Sequence, residues 1–403
     1  MSQNFVVVGG GLAASNAVEQ LRADGFDGAI TLFAEEPHLP YERPPLSKGV
    51  LLGNDAPDSV FPHPAAWYDE HEVDVWTGTP VTGLDAGRHT VTTAAGEQHY
   101  DRLLLATGST PRRLAMADES GAEAHYLRTI EDSAALRAAF APDRRVVVVG
   151  GGWIGLEVAS AARQAGSAVT VVESFELPLL RVLGPEIAKI FADLHTEHDV
   201  DLRLSATLAS LEASGPRTVV RLEDGTRLEA DVLVVGIGVS PNTELAEMAG
   251  LAIDNGVLVD SRLTTSDSDI FAAGDIANHD HPTLGHRVRV EHWDNAIEQG
   301  KAAAKAMLGN GSGYDRVPYF FTDQYDLGME YVGHVGPDGY DSVVVRGDTA
   351  ERVFTAFWLK GDHVVAGMQV NDWDAMDGVR AIVGRRVDAR SLADTHTGLA
   401  DFA

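Results

Sequence analysis

The chain is 403 residues long, 44% hydrophobic, with a formal net charge of −29 and no cysteine. That length exceeds a single ordinary core and predicts two or three globular domains. The acidity excludes nucleic acid or an anionic membrane as the main partner, since binding either rests on clustered Lys and Arg, and the lack of cysteine excludes disulfides, thiolate metal sites and redox-active thiols.

The first element is Phe5-Val6-Val7-Val8, an apolar run that reads as a strand buried on both faces. Gly9-Gly10-Gly11-Leu12-Ala13-Ala14 follows it and opens a helix through Ala17, Val18 and Leu21. This is a dinucleotide fingerprint in its strand–turn–helix context. Gly9 makes the tight turn, Gly11 lets the backbone approach a pyrophosphate, and Ala14 takes the third position, which tolerates alanine. The amides that open the helix would face the phosphates, where the helix dipole favours negative charge. Ala29 to Phe33 reads as the second strand, and Glu35 just beyond it stands where a carboxylate takes a ribose 2′-hydroxyl.

Next comes Leu39-Pro40-Tyr41-Glu42-Arg43-Pro44-Pro45-Leu46-Ser47-Lys48. Its prolines predict a segment that leaves the sheet and re-enters a helix near Ser47. On residue types alone it also fits a rigid surface loop with exposed charges. Lys48 is the only lysine before Lys189. Arg102 to Leu105 is a buried strand closing in the turn Ala106-Thr107-Gly108-Ser109-Thr110-Pro111, the kind of strand end where open α/β sheets bind ligands.

A second fingerprint is sharper than the first. Val146 to Val149 form an apolar strand, Gly150-x-Gly152-x-x-Gly155 turns, and Ile154, Val158, Ala161 and Ala162 recur at helical spacing. The next strand, Ala168 to Val172, ends at Glu173, and no Arg or Lys occupies 174–180. A phosphorylated ribose would want a positive neighbour and no carboxylate, so NADH is expected over NADPH. Residues 200–235 read as short antiparallel strands and lead to a buried strand that closes at Gly236-Ile237-Gly238. Ser268 to Asp275 is a short strand ending in a carboxylate, and Asp275 there fits a helix N-cap or a ligand acceptor. A helix is predicted between Glu291 and Met307. Beyond Gly309-Asn310-Gly311-Ser312-Gly313, strand-like runs at 342–345 and 352–358 suggest a separate domain.

The two fingerprints are an internal repeat, and the Gly274-Asp275 strand returns after the second. The expected fold is therefore α/β, with two Rossmann-like dinucleotide-binding domains, one inserted in the other, plus a C-terminal α+β domain. The expected boundaries are 1–112 with 237–310, then 113–236, then 311–403.

In this order the motifs are specific: the first fingerprint, Arg43-Pro44-Pro45-Leu46-Ser47-Lys48, Ala106-Thr107-Gly108-Ser109 with Pro111-Arg112, the second fingerprint with Glu157 and Glu173, Gly236-Ile237-Gly238, Gly274-Asp275 and Glu291-His292-Trp293. On them the chain resembles the FAD-dependent NADH:ferredoxin and rubredoxin reductases that feed electrons to cytochromes P450 and ring-hydroxylating oxygenases. The resemblance implies that FAD and NADH are the cofactors. It implies that Gly9, Gly11, Leu12, Ala13, Ala14 and Glu35 hold the ADP half of FAD, that Asp275 bonds the ribityl chain, and that Trp293 lies at the isoalloxazine. Arg43, Pro45, Val81, Ala106, Thr107, Gly108, Arg128 and Gly274 are further cofactor contacts on the same ground. Gly150, Gly152, Ile154, Gly155, Glu173, Gly236, Ile237 and Gly238 belong to the nicotinamide nucleotide. Lys48 would sit near flavin N5 and pair with Glu157, and these two are the residues to which a catalytic role is assigned. The flavin carries the organic chemistry, and a fixed cation would favour its anionic reduced form.

The implied partner is a small [2Fe-2S] ferredoxin, or a rubredoxin, usually acidic. Its docking candidates are Arg287 with Arg289, or Arg380, Arg385, Arg386 and Arg390; all of these also fit a solvated face on which arginines pair with nearby aspartates. Without cysteine, the disulfide and peroxide chemistry of related reductases is excluded. Residues 379–403 carry no long apolar face for a membrane, and no leader is expected before Phe5, so the cytoplasm is the expected compartment. No metal site is expected. Two other readings are a stand-alone NADH oxidase or diaphorase, and an NADH-sensing flavoprotein like apoptosis-inducing factor.

Overall fold

The computed structural model describes residues 3–336 and 339–402. The chain divides into two compact units. The first comprises Met1–Arg43, Asp58–Thr110 and Ser240–Tyr319, and the second Pro44–Pro57, Pro111–Val239 and Phe320–Ala403.

The first unit is built on a five-stranded parallel sheet in the order Ile270–Ala272, Arg102–Leu105, Asn4–Val8, Ala29–Phe33, Val73–Trp76. The central strands are apolar on both faces because helices or loops cover both. Helices Leu12–Ala23 and Trp293–Met307 pack so closely that a Cβ on Gly300 would lie 2.3 Å from the carbonyl oxygen of Ala13. The strand Ile270–Ala272 completes this sheet beside Arg102–Leu105, although the whole second fingerprint intervenes in sequence. One nucleotide fold is thus inserted in the other, as the repeat implied.

The second unit holds a four-stranded parallel sheet in the order Asp201–Arg203, Ala168–Val172, Arg145–Val149, Val232–Val235. Asp201–Arg203 was expected to be antiparallel with the strands after it. It runs parallel to Ala168–Val172 because the helix Leu180–Glu197 carries the chain back across the sheet, and a crossover of that kind delivers a parallel strand. Only Leu208–Ser214, Arg217–Leu222 and Arg227–Ala230 form the expected antiparallel meander. The crossover helix itself was hidden by Gly184-Pro185, where Gly184 has φ +75° and the helix kinks.

A second sheet of the same unit has the order Tyr319–Gln324, Leu327–Gly333, His363–Val370, Val353–Lys360, Ser342–Asp348, with antiparallel pairing in its registered ladders. Its inward Phe320, Met329, Tyr331, Phe354, Trp358 and Met368 share one core with Leu156 of the helix Trp153–Gln164 and with Leu183, Ile187 and Phe191 of the crossover helix. That packing sets the strand Tyr319–Gln324 against the second fingerprint helix. No helix among the described residues is long and apolar enough to cross a membrane, and they contain no cluster of residues suited to hold a metal.

Candidate functional site

Each unit carries a glycine cradle at the start of a helix. In the first, Gly9 has φ +128°, and a methyl group there would lie 2.1 Å from the carbonyl oxygen of Ala106. Only glycine fits that turn. Gly11, two residues on, has nothing within 4 Å on its open side. It caps the helix Leu12–Ala23 with no side-chain hydrogen bond, so the first amides of the helix are left for another acceptor. Glu35 is exposed at the end of Ala29–Phe33, while its neighbour Glu36 is engaged, accepting from Arg43 at 2.7 Å and from the Tyr41 hydroxyl.

Asp275 receives the Ser109 hydroxyl at 2.6 Å, and the Trp293 indole donates to Glu42 at 3.0 Å from the first turn of its helix. Thr107 and Asn242 exchange two hydrogen bonds of 2.8 Å, which hold the turn Ala106 to Gly108 in place. Gly274 abuts Ala13, and Val81 is half-buried against the core. Among the cofactor positions that the resemblance implies outside the second fingerprint, Glu173 and the Gly236–Gly238 turn, Pro45, Lys48 and Arg128 fold into the second unit. There the Arg128 amide donates to Asp132 at 2.9 Å, at the capping box of the helix Ile130–Ala139.

The second cradle repeats the first. A methyl group on Gly150, at φ +106°, would lie 2.3 Å from Gly236 O, and one on Gly155 would lie 2.1 Å from Gly150 O. Gly152 has nothing within 4 Å and caps its helix without a side chain. Gly238, at φ +99°, is equally open. Ile154 and Ile237 are exposed apolar side chains on this turn, a face that invites a covering ligand. Glu173 is buried and held by the amides of Gly151, at 2.6 Å, and Phe175, at 2.9 Å. The donor sets and the open glycines fit a dinucleotide pyrophosphate in both cradles.

The second unit also buries an ion pair. Lys48 Nζ donates to Glu157 Oε1 at 2.8 Å; Glu157 is 3% exposed and the lysine side chain 15%. The helix Trp153–Gln164 is buried from Gly155 to Ala162, so a carboxylate on it must be paired. One proline-led turn brings the lysine there. Pro44–Ser47 forms a short 3-10 turn, Lys48 caps the helix Gly49–Leu52, and the Leu46 carbonyl is pinned by the Ser133 hydroxyl at 2.8 Å. Lys48 also lies 5.2 Å from the centre of the Phe321 ring. Ser47 donates to Glu157 Oε2 at 2.5 Å and Thr322 to Oε1 at 2.5 Å.

Phe321 and Thr322 were not singled out from the sequence, and Ser47 was read there only as a helix start within its motif. The signal was available for Thr322: Phe320, Thr322 and Gln324 are the inward positions of an alternating strand, and two of the three are polar.

The arginine candidates differ among themselves. Arg287 donates to the carbonyls of Val259 and Asn278, and Arg289 is buried against Asp275 O and Glu291. Both are committed within their own unit. Arg385, Arg386 and Arg390 are exposed; Arg386 pairs with Asp362 at 2.9 Å, and, after the Ser391 amide, the charge of Arg390 helps to lower the Asp388 carboxyl.

Two parallel-sheet nucleotide folds, each with a glycine cradle, define a class. Residues 3–300 match the model of the family described as pyridine nucleotide-disulphide oxidoreductase, and residues 319–403 match a reductase C-terminal domain. The chain belongs to the pyridine nucleotide-disulphide oxidoreductase family. It is 41% identical over 403 residues to the ferredoxin–NAD(+) reductase component of the anthranilate 1,2-dioxygenase system of Burkholderia cepacia, covering 99% of this chain and 98% of that one. It is 38% identical over 377 residues to putidaredoxin reductase of Pseudomonas putida, covering 92% and 89%. The crystal structure of the covalent putidaredoxin reductase–putidaredoxin complex superposes with a TM-score of 0.94 at 36% identity, covering 99% of this chain and 98% of that chain.

Proposed function

We propose that the protein is an NADH-dependent flavoprotein reductase that delivers electrons to a small [2Fe-2S] ferredoxin serving an oxygenase or a cytochrome P450. The observation that carries this reading is the pair of open, uncapped glycine cradles in a chain without cysteine. The relatives' names point to the same acceptor class.

The first cradle, with Glu35, Asp275 and Trp293, holds FAD; the second, with Glu173 and the Gly236–Gly238 turn, holds NADH. What FAD supplies when bound is the exchange between a hydride donor and a one-electron acceptor. The chain's own residues bind, orient and set the charge. Backbone amides at both helix starts take the pyrophosphates. Glu173 presents a carboxylate where a 2′-phosphate would have to sit. Lys48, held in place by Glu157, supplies a fixed cation that favours the anionic reduced form. Arg385, Arg386 and Arg390 offer the exposed positive charge for an acidic ferredoxin, and the expected compartment is the cytoplasm.

The test is reduction of a panel of [2Fe-2S] ferredoxins by the purified, yellow protein. NADH should support turnover with a specificity constant about a hundredfold above that for NADPH, the effect of one unmatched charge in the pocket. Equal constants for the two nucleotides, or turnover with oxygen as fast as with any ferredoxin, would sink the reading.

A further inference from the structure

The Glu157 carboxylate is held by more than lysine. At the same oxygen that Lys48 holds, a row of buried polar side chains begins: Thr322, Gln324 and His195, each 1% exposed or less. His195 Nε2 lies 2.8 Å from Gln324 Oε1, Gln324 Nε2 lies 3.2 Å from Thr322 Oγ1, and Thr322 Oγ1 lies 2.5 Å from Glu157 Oε1. The chemistry fixes one direction for the whole row. A carboxylate facing an ammonium group only accepts, so Thr322 must give it its single hydroxyl proton. The hydroxyl oxygen then accepts, and the amide NH₂ of Gln324 must face it. That turns the Gln324 carbonyl to His195, which must carry its proton on Nε2. Burial lowers His195 to about 4, so the ring is neutral and a single tautomer satisfies the row. Oε2 of Glu157 is held separately by Ser47.

We propose that Thr322, Gln324 and His195 are positioning residues for Lys48: their one-way row of hydrogen bonds holds the Glu157 carboxylate in one orientation, and the carboxylate in turn fixes the ammonium group beside Phe321. The inference rests on the reading that Lys48 supplies the fixed charge. Neither Gln324 nor His195 is a hydrogen-bond partner of Lys48 or Glu157, so an effect of either on the pair must pass through Thr322.

The test uses the FAD-loaded full chain labelled with [15N]lysine. Its only lysines are Lys48, Lys189, Lys301, Lys305 and Lys360, so the Lys48 Nζ resonance is assigned by its loss in Lys48→Gln. Gln324→Glu keeps the size of the side chain but reverses the row, since the new carboxylate competes for the Thr322 hydroxyl proton that is now donated to Glu157. At alkaline pH the Lys48 resonance should move, and the limiting rate of flavin reduction by NADH should fall about tenfold or more with the Kd for NADH unchanged. Both should return toward wild type as the pH falls and the new carboxyl, now protonated, donates again.

Thr322→Val should reproduce the alkaline effect and Thr322→Ser should not. That pair decides the matter if Gln324→Glu fails to fold. A Lys48 resonance that stays in place while the His195 ring signals move would overturn the proposal. Wild-type flavin reduction in Lys48→Ala would instead defeat the reading beneath it, and the lysine resonances would still report whether the row reaches the pair.

Discussion

At the scale of single residues, the first two motif glycines of each fingerprint separate turn geometry from ligand space. Gly150 sits at φ +106° against Gly236 O, whereas Gly152 sits at φ −80°, ψ −178°, an extended conformation open to any residue, with its side-chain direction empty. Gly150→Ala should therefore lower the melting temperature, since strain of that kind costs on the order of 1–3 kcal/mol. Gly152→Val should leave melting unchanged and raise the KM for NADH about ten- to a hundredfold, the worth of the charge-assisted hydrogen bonds it obstructs. The opposite ranking in a thermal melt and an NADH titration would refute the division. The glycines were legible in the sequence because strand, turn and helix lie next to one another there. The Lys48–Glu157 pair was reached only through resemblance, and Thr322 not at all, because its partners come from segments that only the folded chain assembles.

At the scale of elements, the strands and helices whose faces are uniformly apolar were readable, and those shaped by tertiary context were not. Ala29–Phe33, Ala168–Val172 and Arg145–Val149 stand at or within a residue of where their apolar runs put them. Asp201–Arg203 is too short to show its pairing, and the helix Leu180–Glu197 is masked by Gly184-Pro185. Two elements also bury histidine. Burial lowers His195 on that helix and His279 on the strand Ala277–His281 to about 4 each, against an ordinary 6.5. The unfolded chain then takes up protons that the folded one refuses. Stability from these residues is complete above about 6.5 and declines as the pH falls toward 4. Thermal melts should show that decline, and His279→Leu should flatten it. An acid limb of unchanged slope in that variant would assign the loss to other groups.

At the scale of the whole molecule, the charge of −29 makes association with an acidic partner depend on a local patch. Arg385→Glu with Arg386→Glu should slow ferredoxin association about tenfold while leaving reduction of the flavin by NADH intact, and added salt should erase the difference. A salt-independent rate would move the docking surface elsewhere. The course of the chain through its two units has a further consequence, for biosynthesis. The chain changes unit at 43/44, 57/58, 110/111, 239/240 and 319/320, and the strand Ile270–Ala272 belongs beside Arg102–Leu105. A nascent chain emerging from the ribosome therefore exposes the bare edge of Arg102–Leu105 until its partner, well over a hundred residues downstream, has been made. The second unit cannot close until Tyr319–Gln324 and the strands after it are out. The glycines and parallel strands of the second cradle all lie within 145–238, so that cradle can form from one contiguous stretch, whereas the first must wait for Ile270–Ala272 and Gly274, matures late in synthesis, and cannot be lifted out of the gene by a single pair of cuts.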